Sequence, residues 1–333
     1  MDALASLMAG FAAALTPTHI AMCFLGVLLG QIVGVLPGIG PAAAIALLLP
    51  ITFGMDATGA IIMFAGIYYG SQYGGTLTSV LISVPGESST VMTAIDGYQM
   101  ALQGRAGVAL GIAAIGSFIA GTIGTIGLIL VAPPLAKMAL AFGPPEYFSL
   151  VLRGLLALAA VGGSLLKGLT AGVAGLALGT MGIDPQVGVP RYDFGQIWLL
   201  DGIEFIVLTV ALFGLGEVLG GCNAGVARPV AKVTNVLPSR AELRQSGMPI
   251  MRGSVIGFLI GVLPATGATI ASFVAYIVEK KLAKDPSRFG KGAIEGVAGP
   301  EAANNAASCG TLVPMLSLGI PTGAATARLL GAL

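Results

Sequence analysis

The sequence predicts an all-α polytopic membrane protein with an internally duplicated chain, on three observations. Only 9% of the 333 residues are charged and 56% are hydrophobic, with a mean hydropathy of +0.93; a soluble domain carries about 25% charged residues. Long stretches contain no charged side chain, namely 3–55, 57–86 and 106–136. The segment Gly-Val-Leu-Pro occurs twice, at Gly34 and at Gly261. We therefore expect a chain that crosses a lipid bilayer several times.

The expected spans lie between the charged residues. The run 106–136 would reach about 46 Å as a helix, against about 30 Å for the hydrocarbon core, and we expect a crossing at 106–132. Further crossings are expected at 56–72, 75–103, 146–166, 168–183, 205–221 and 253–279, the last interrupted at Pro264. If 75–103 crosses as one broken helix, the number of crossings between the repeats is even. If it is a re-entrant hairpin the number is odd, and the repeats are inverted, the arrangement that we expect.

A basic segment separates the two halves of the chain. Residues 222–252 carry a net charge of +4, from Arg228, Lys232, Arg240, Arg244, Arg252 and Glu242. Because cytoplasmic loops are enriched in Lys and Arg, we predict a cytoplasmic loop here. It divides the chain into a first repeat with connecting helices at 1–221 and the start of a second repeat at 253–333. The apolar run that continues to Leu333 favours an incomplete second repeat.

Two helix breaks recur in the same order. GVLPGIG at 34–40 returns as GVLPATG at 261–267, which is 227 positions later. GGTLTSVLISVPGESSTV at 74–91 is echoed by CGTLVPMLSLGIPTGAAT at 309–326, at an offset of 235 to 236. Agreement at two places in register predicts an internal duplication.

The breaks predict a binding site. A Pro-Gly step in a membrane helix frees N–H and C=O groups that lipid cannot satisfy. The helix N-terminus after the break suits a carboxylate, and the freed carbonyls suit a cation. A single kink is typical of packing, but matched breaks in two halves indicate the site of a secondary transporter. We predict that substrate is bound by Gly38, Ile39, Gly40, Pro85, Gly86, Glu87, Ser88, Ser89, Thr266, Gly267, Pro321, Thr322 and Gly323.

A coupling cation, Na⁺ or H⁺, is predicted at Glu87, Asn304, Asn305 and Thr311. Glu87 follows Pro85-Gly86 directly, so capping of the new helix is an equally good interpretation. Asn304 and Asn305 lie in a nearly apolar stretch, where their amides need partners. Their carbonyl oxygens are natural Na⁺ ligands, and hydrogen bonds between helices are the alternative. We expect no other metal and no cofactor.

Three long stretches resemble one known family, the TctA-type large membrane subunit of the bacterial tripartite tricarboxylate transporters. They are GVLPGIGPAAAIALLLPITFGMD, AGIYYGSQYGGTLTSVLISVPGESSTVMTAIDGYQMALQGRAG and GPEAANNAASCGTLVPMLSLGIP. The resemblance covers essentially the whole chain. It implies an inner-membrane symporter that takes up a di- or tricarboxylate with Na⁺ or H⁺. It also implies two protein partners, a small four-helix-type membrane subunit and a periplasmic solute-binding protein.

The chain departs from the family pattern at two places. Thr322-Gly323 stands where the family commonly has Gly-Ser, and Arg328 stands where an apolar residue is expected. Both departures fall in the second half of the predicted site. They bear on which carboxylate is bound.

Two other functions are alternatives to transport. An intramembrane hydrolase needs a nucleophile with a base, and Ser88 and Ser89 have no His or Lys near them in sequence. His19 is the only histidine, and the three cysteines are scattered, so neither a catalytic triad nor a zinc site is predicted. A channel is the second alternative, which uphill uptake would exclude. We expect no enzyme activity and no nucleic-acid partner.

Overall fold

The computed structural model describes residues 3–36, 40–49, 54–140, 143, 145–146, 148–149, 152, 165–184, 187–203, 233–263, 267–318, 322 and 324–330. Described secondary structure is almost entirely helical, with one two-stranded ribbon. The chain forms two compact units, residues 1–141 with 229–333 and residues 142–228.

The first half of the larger unit contains α1 (Ala3–Ala14), α2 (Pro17–Val35), α3 (Gly40–Leu48), α4 (Ala57–Ile82), α5 (Val91–Leu102) and α6 (Ala106–Leu140). Side-chain caps begin two of them: Thr16 accepts from the N–H of His19 at α2, and Asp56 accepts from the N–H of Gly59 at α4. Such caps satisfy N–H groups that have no partner within the helix. α4 is one continuous helix, whereas the sequence suggested separate segments at 56–72 and 75–103.

The smaller unit contains α7 (Leu165–Gly179), which overlaps the predicted crossing 168–183 but begins before it and includes Lys167, the charged residue expected to separate it from the crossing 146–166. A short antiparallel ribbon pairs β1 (Gly182–Ile183) with β2 (Pro190–Arg191). The Arg191 guanidinium forms an ion pair with Asp184 beside this ribbon. A 3₁₀ turn at Ile197–Leu199 follows. The predicted crossing 205–221 lies outside the described residues, as does most of 146–166.

The second half of the larger unit contains α8 (Arg240–Val262), α9 (Gly267–Leu282), α10 (Glu295–Leu318) and α11 (Ala324–Leu330). α8 begins with a capping box, in which Ser239 and Glu242 each accept from the other's backbone N–H. The end of the basic segment predicted as a loop is therefore helical. Pro264 lies outside the described residues, between α8 and α9.

Two helix pairs pack through glycines with the same spacing. Three glycines of α2 and three of α8 lie so close to a carbonyl oxygen of the next helix that an added Cβ would overlap it. The pairs are Gly26–Met63, Gly30–Ile67 and Gly34–Ser71 for α2 on α4, and Gly253–Gly299, Gly257–Ala303 and Gly261–Ala307 for α8 on α10. The glycines of the two sets are 227 positions apart and the carbonyls 236 apart. Only glycine permits such close contact between helix backbones.

The long helices α4 and α10 pack against each other in opposite directions. The Tyr68 hydroxyl is 3.4 Å from that of Thr311, and the Tyr69 hydroxyl donates to the Cys309 sulfur. Further along α4, Thr76 hydrogen-bonds to Glu301. Residue numbers therefore rise along α4 as they fall along α10, so the two helices are antiparallel.

One end of the larger unit carries several ion pairs. Arg105, after α5, donates to Glu242 of α8 at 2.8 Å, and Gln103 donates to the carbonyl of Lys291 in the α9–α10 loop. Arg288 pairs with Glu295 in the same region. Because α4 is antiparallel to α10, the start of α4 lies at the opposite end, where Asp56 contacts His19 at 3.0 Å.

Two described helical segments are long and apolar enough to cross a bilayer, Pro17–Val35 and Ala106–Leu130. Large apolar side chains on their surfaces are exposed, including Phe24 at 69%, Phe118 at 76% and Leu130 at 72%. A soluble protein rarely exposes so many large apolar side chains in contiguous patches. These surfaces suit contact with lipid.

Candidate functional site

The first and third breaks have the same backbone geometry. α3 begins at Gly40 with φ 61°, and α9 begins at Gly267 with φ 58°. Before each break, the N–H of the Leu in Gly-Val-Leu-Pro bonds the carbonyl three residues earlier at 3.0 Å, Leu36 to Val33 and Leu263 to Ile260. A positive φ favours glycine, which explains the shared final Gly of the motif. Gly38, Ile39 and Thr266 lie outside the described residues.

The second break doubles back into the helix bundle. Thr76 of α4 and Thr93 of α5 both reach Glu301, and Val80 packs on Gly97. α5 therefore runs in the same direction as the end of α4, and the chain at 83–90 returns between them. Gly86 is the innermost point, because its N–H bonds the Gly75 carbonyl and an added Cβ would overlap the Gly34 carbonyl. The break does not continue a single crossing helix.

The returning segment contacts the start of α9, in the second half of the chain. The 3₁₀ turn Ser88–Thr90 packs on the start of α9, where the Ser88 and Thr269 hydroxyls are 2.7 Å apart. Ser89, on the other side of the turn, donates to the side-chain carbonyl of Gln72. Pro85 and Gly86 precede this turn directly. Hydroxyl groups from two halves of the chain therefore meet at one point.

Glu87 is buried at 7% exposure, and its Oε1 has no hydrogen-bond partner among the described atoms. It occupies the N-cap position of the 3₁₀ turn, but its side chain makes no capping bond. The capping interpretation is therefore wrong. The side chain instead lies against Gly75 and close enough to Tyr68 for an electrostatic interaction. A buried acceptor without a donor is costly and often marks a site that binds something.

Asn304 and Asn305 lie side by side in α10, buried at 0% and 4% exposure. The Asn305 amide donates to Ser117 of α6 at 2.8 Å and to the Asn304 side-chain carbonyl at 2.7 Å. The helix–helix hydrogen bond considered for these residues is thus present for Asn305. The Asn304 amide nitrogen has no hydrogen-bond partner within normal distance in the described structure.

Thr311 connects the fourth break to the same neighbourhood. Its carbonyl accepts from the Thr322 hydroxyl at 3.1 Å, and its own hydroxyl faces Tyr68. α11, which follows this break, packs on α3, where Leu329 and Ile45 share one apolar cluster. Pro321 and Gly323 lie outside the described residues. Tyr68 stands between Thr311 and Glu87, so two predicted cation-binding residues have one common neighbour.

Several residues of this region were not assigned from the sequence. Thr269 stands two residues after the Gly267 break, a position comparable to the predicted Ser88, and that correspondence was the available signal. Gln72 and Tyr68 belong to a visibly polar stretch of α4. Glu301 is a charged residue within an apolar helix, which is itself a sign of function.

Positive charge is scarce around the first three breaks, whereas Arg328 follows the fourth by five residues. No Lys or Arg occurs at 57–104 or 254–278. Arg252 is nearest in sequence to the third break, and its guanidinium makes two hydrogen bonds to the Glu279 carboxylate. An anion at the breaks would therefore meet backbone N–H groups and hydroxyls more than free cations.

Comparison with known proteins identifies the family. A family model described as the tripartite tricarboxylate transporter TctA family matches residues 20–333. The chain belongs to the TctA family. This is a family of transporters and not of enzymes, so the hydrolase considered above is excluded and the predicted resemblance is confirmed.

Two relatives from Agrobacterium vitis are similar to this TctA-family chain. One, described as an uncharacterized 52.8 kDa protein in the TAR-I ttuC' 3' region, is 51% identical over 335 residues, covering 100% of this chain and 67% of the relative. The other, described as an uncharacterized protein in the TAR-II ttuC' 3' region, is 57% identical over 76 residues, covering 23% of this chain and 31% of the relative. No solved structure matches the chain.

Proposed function

We propose that the chain is the large membrane component of a binding-protein-dependent symporter that takes up a di- or tricarboxylate across the bacterial inner membrane. The observation that carries the proposal is the hydrogen bond between Ser88 and Thr269. It joins the re-entrant segment 83–90 of the first half to the start of α9 in the second half. Membership of the TctA family supports the transport of carboxylates by a system with further subunits.

The substrate site lies at the junction of the breaks. The chain emerging from Gly86 and the start of α9 both present backbone N–H groups beside hydroxyl groups of Ser88 and Thr269. A helix N-terminus is equivalent to roughly half a positive charge and stabilises an anion by up to about 2 kcal/mol. Two such termini are too weak for an anion of charge −2 or −3. A bound cation supplies the remaining charge.

The coupling cation binds beside Glu87. Its unpaired Oε1, the Tyr68 hydroxyl and the Thr311 hydroxyl offer oxygen ligands in one buried neighbourhood. Asn304 lies on the same face of α10 as Thr311, and Asn305 donates to the Asn304 side-chain carbonyl, so the two amides complete the polar set. Carboxylate, hydroxyl and amide oxygens are suitable ligands for Na⁺. If the coupling ion is H⁺ instead of Na⁺, Glu87 is the group that binds it.

The two halves form an inverted repeat. The matched glycine contacts, the matched Gly40 and Gly267 geometry, and the antiparallel contact of α4 with α10 all support this relation. α2–α3 then enters from one side of the membrane and α8–α9 from the other. Inverted repeats with binding at their junction are the arrangement that permits alternating access to one site.

Two further subunits are proposed partners, a small four-helix-type membrane subunit and a periplasmic solute-binding protein. The larger unit exposes extended apolar surface on α2 and α6, which fits a membrane-embedded neighbour or lipid. The binding protein delivers the substrate to the outer face. The membrane component then needs only moderate affinity of its own.

Uptake of labelled carboxylate in cells that carry the complete transporter tests this proposal. Ser88→Ala and Thr269→Val should each raise the KM for substrate, and the double variant should do little more because the two groups share one interaction. Ser287→Ala, which removes an exposed hydroxyl bonded to Asp285, is the matched control and should leave KM unchanged. An unaltered KM in both single variants would contradict the assignment of Ser88 and Thr269 to the substrate site.

A further inference from the structure

Glu301 is a fully buried carboxylate that the proposed coupling site does not use. It lies in α10 at 0% exposure, inside the apolar core shared by α5, α6 and α8. Thr93 of α5 donates to its Oε2 at 3.0 Å, and Ser117 of α6 donates to its Oε1 at 3.3 Å. Thr76 and Asn304 are its other polar neighbours, and the described groups that act on it include no Lys or Arg.

The charged groups near Glu301 are all engaged elsewhere. On α5, Asp96 accepts from the N–H groups of Gly290, Gly292 and Ala293 and from the Tyr276 hydroxyl. On α9, Glu279 is bound by Arg252 of α8. The neutral titratable groups facing this stretch of α10 are Tyr68, Tyr69 and Tyr73 of α4, and described α6 places no charged residue against it. The Glu87 side chain lies against Gly75 of α4 and is not a hydrogen-bond partner of Glu301. Among the residues that the structure describes, Glu301 thus has hydroxyl partners but no counter-charge.

The surrounding hydroxyls suit a protonated carboxyl group. The Thr76 hydroxyl gives its single proton to the Gln72 carbonyl at 3.2 Å, so its oxygen is free to accept from Glu301. Thr93 and Ser117 donate to the two carboxyl oxygens. A carboxylic acid can therefore have every donor and acceptor satisfied here. An ionised carboxylate without a cation is costly in such an interior.

A cleft leads to this group from the side of the bundle. It has a volume of about 760 Å³, is lined mainly by apolar side chains of α1, α2, α4 and α6, and has the polar groups of Gln31, Ser117 and Asn305 on its wall. Ser117 accepts from Asn305, donates to Glu301 and keeps one lone pair for a water molecule in the cleft. One hydroxyl therefore separates Glu301 from a space large enough for water or a small molecule.

We propose that Glu301 is a proton-binding site that exchanges its proton with the cleft through Ser117. A hydronium ion in the cleft gives a proton to the Ser117 oxygen as the Ser117 proton moves to Oε1 of the carboxylate. The products are water, an unchanged serine and a neutral carboxylic acid, so charge and atoms balance. This site is separate from the Glu87 site and stands whether or not Glu87 binds a coupling ion.

Carbodiimide labelling tests the proposal without measuring transport. Dicyclohexylcarbodiimide adds to protonated carboxyl groups in apolar surroundings, and peptide mass spectrometry locates the adduct. In membranes that contain the complete transporter, Glu301 should be labelled near neutral pH, and its labelling should fall as the pH rises. Glu279 is the matched control, because it is similarly buried but forms an ion pair with Arg252, and it should stay unlabelled.

A cleft-filling variant tests the route. An added Cβ at Gly121, which lines the cleft, meets no atom within 4 Å, so Gly121→Phe begins in open space and is the variant designed to fill the cleft. It should lower labelling of Glu301 at least several-fold, while Gly175→Phe in α7, where the same open space is found, should not. Absence of label on Glu301 at every pH, or labelling equal in Gly121→Phe and wild type, would overturn the proposal.

Discussion

At the scale of single residues, buried polar groups define the site more sharply than the break motifs do. Ser88 was predicted from its place after Pro85-Gly86, and the structure gives it Thr269 as a partner. That partner could not be read from the sequence, because the two residues are 181 positions apart and no local pattern connects them. Glu87 was predicted too, but the sequence alone could not separate capping from ligand binding. Its missing capping bond contradicts the capping interpretation, and ligand binding stays a prediction.

Replacing Asn305 with Ala should weaken sodium coupling. The Asn305 amide holds Ser117 and the Asn304 carbonyl in place, so its loss leaves the polar set of α10 without a fixed geometry. In Asn305→Ala we expect the Na⁺ concentration for half-maximal uptake to rise several-fold. The amount of protein in the membrane should stay close to that of the wild type. Ser254→Ala, which removes only a hydroxyl bonded within α8, is the control. Equal Na⁺ dependence in all three proteins would exclude Asn305 from coupling.

Glu242 makes the ion-pair end of the molecule sensitive to acid. Its hydrogen bond from Arg105, together with those from the N–H and hydroxyl of Ser239, lowers the pKa of this carboxyl below its usual value of 4.5. The resulting stabilisation is present above that value and is lost as the pH falls through the lowered folded pKa. Glu242→Ala should destabilise the detergent-solubilised protein by about 1 kcal/mol at pH 7, typical of a lost cap.

Thermal unfolding at two pH values checks this expectation. The difference between wild type and Glu242→Ala should be smaller at the acidic pH than at pH 7, because the wild-type carboxyl loses its charge as the pH falls through its lowered folded pKa. Glu242→Gln keeps a capping partner and should lie between the two proteins at pH 7. A difference that is the same at both pH values would show that the charge of Glu242 contributes nothing.

At the scale of helices, the sequence predicted the breaks well and the helix boundaries less well. Glycine and proline restrict the backbone locally, so both copies of Gly-Val-Leu-Pro could be located. The continuity of α4 through Gly74-Gly75 could not, since those glycines resemble a break in sequence. Their role is contact instead: an added Cβ at Gly74 would overlap the Gln31 carbonyl, and the equivalent Gly310 is close to the Phe258 carbonyl in the same way.

Alanine substitution of equivalent glycines should have equivalent effects. Gly30→Ala and Gly257→Ala each place a methyl group onto a carbonyl oxygen of the neighbouring helix. Overpacking of this kind costs roughly 1–3 kcal/mol, so both variants should show lower melting temperatures and less folded protein. Gly10→Ala and Gly175→Ala meet open space and should be neutral or gain roughly 0.5–1 kcal/mol from the greater helix propensity of Ala. Gly30 and Gly257 variants as stable as these controls would contradict the packing.

At the scale of the whole molecule, the central claim is that two related halves enter the membrane from opposite sides. The charge distribution gives an orientation for this arrangement. Arg105, Arg240, Arg244 and the cations of the α9–α10 loop lie at one end of the larger unit, and on the positive-inside rule we propose that this is the cytoplasmic end. The end that carries Thr18 and Asp56 is then periplasmic. The duplication was predicted from the sequence. The antiparallel directions of α4 and α10 could be assigned only from the contacts between the two helices.

The dependence on partners is a prediction for the complete transporter. If a periplasmic protein captures the substrate, vesicles that contain only the membrane subunits should take up little carboxylate at micromolar concentration. Addition of purified binding protein should restore uptake, and a binding protein from an unrelated transporter is the control. Full uptake without any binding protein would contradict this part of the proposal.

Cysteine accessibility from the two sides of the membrane tests the central claim most directly. Starting from a functional variant that lacks Cys23, Cys222 and Cys309, single cysteines are introduced at the exposed positions Thr18, Thr58, Gln103, Arg240 and Lys284. A membrane-impermeant maleimide added to intact spheroplasts should label positions 18 and 58 but not 103, 240 and 284. Inside-out vesicles should give the reverse pattern. Labelling of positions 18 and 240 from the same side would contradict the inverted arrangement.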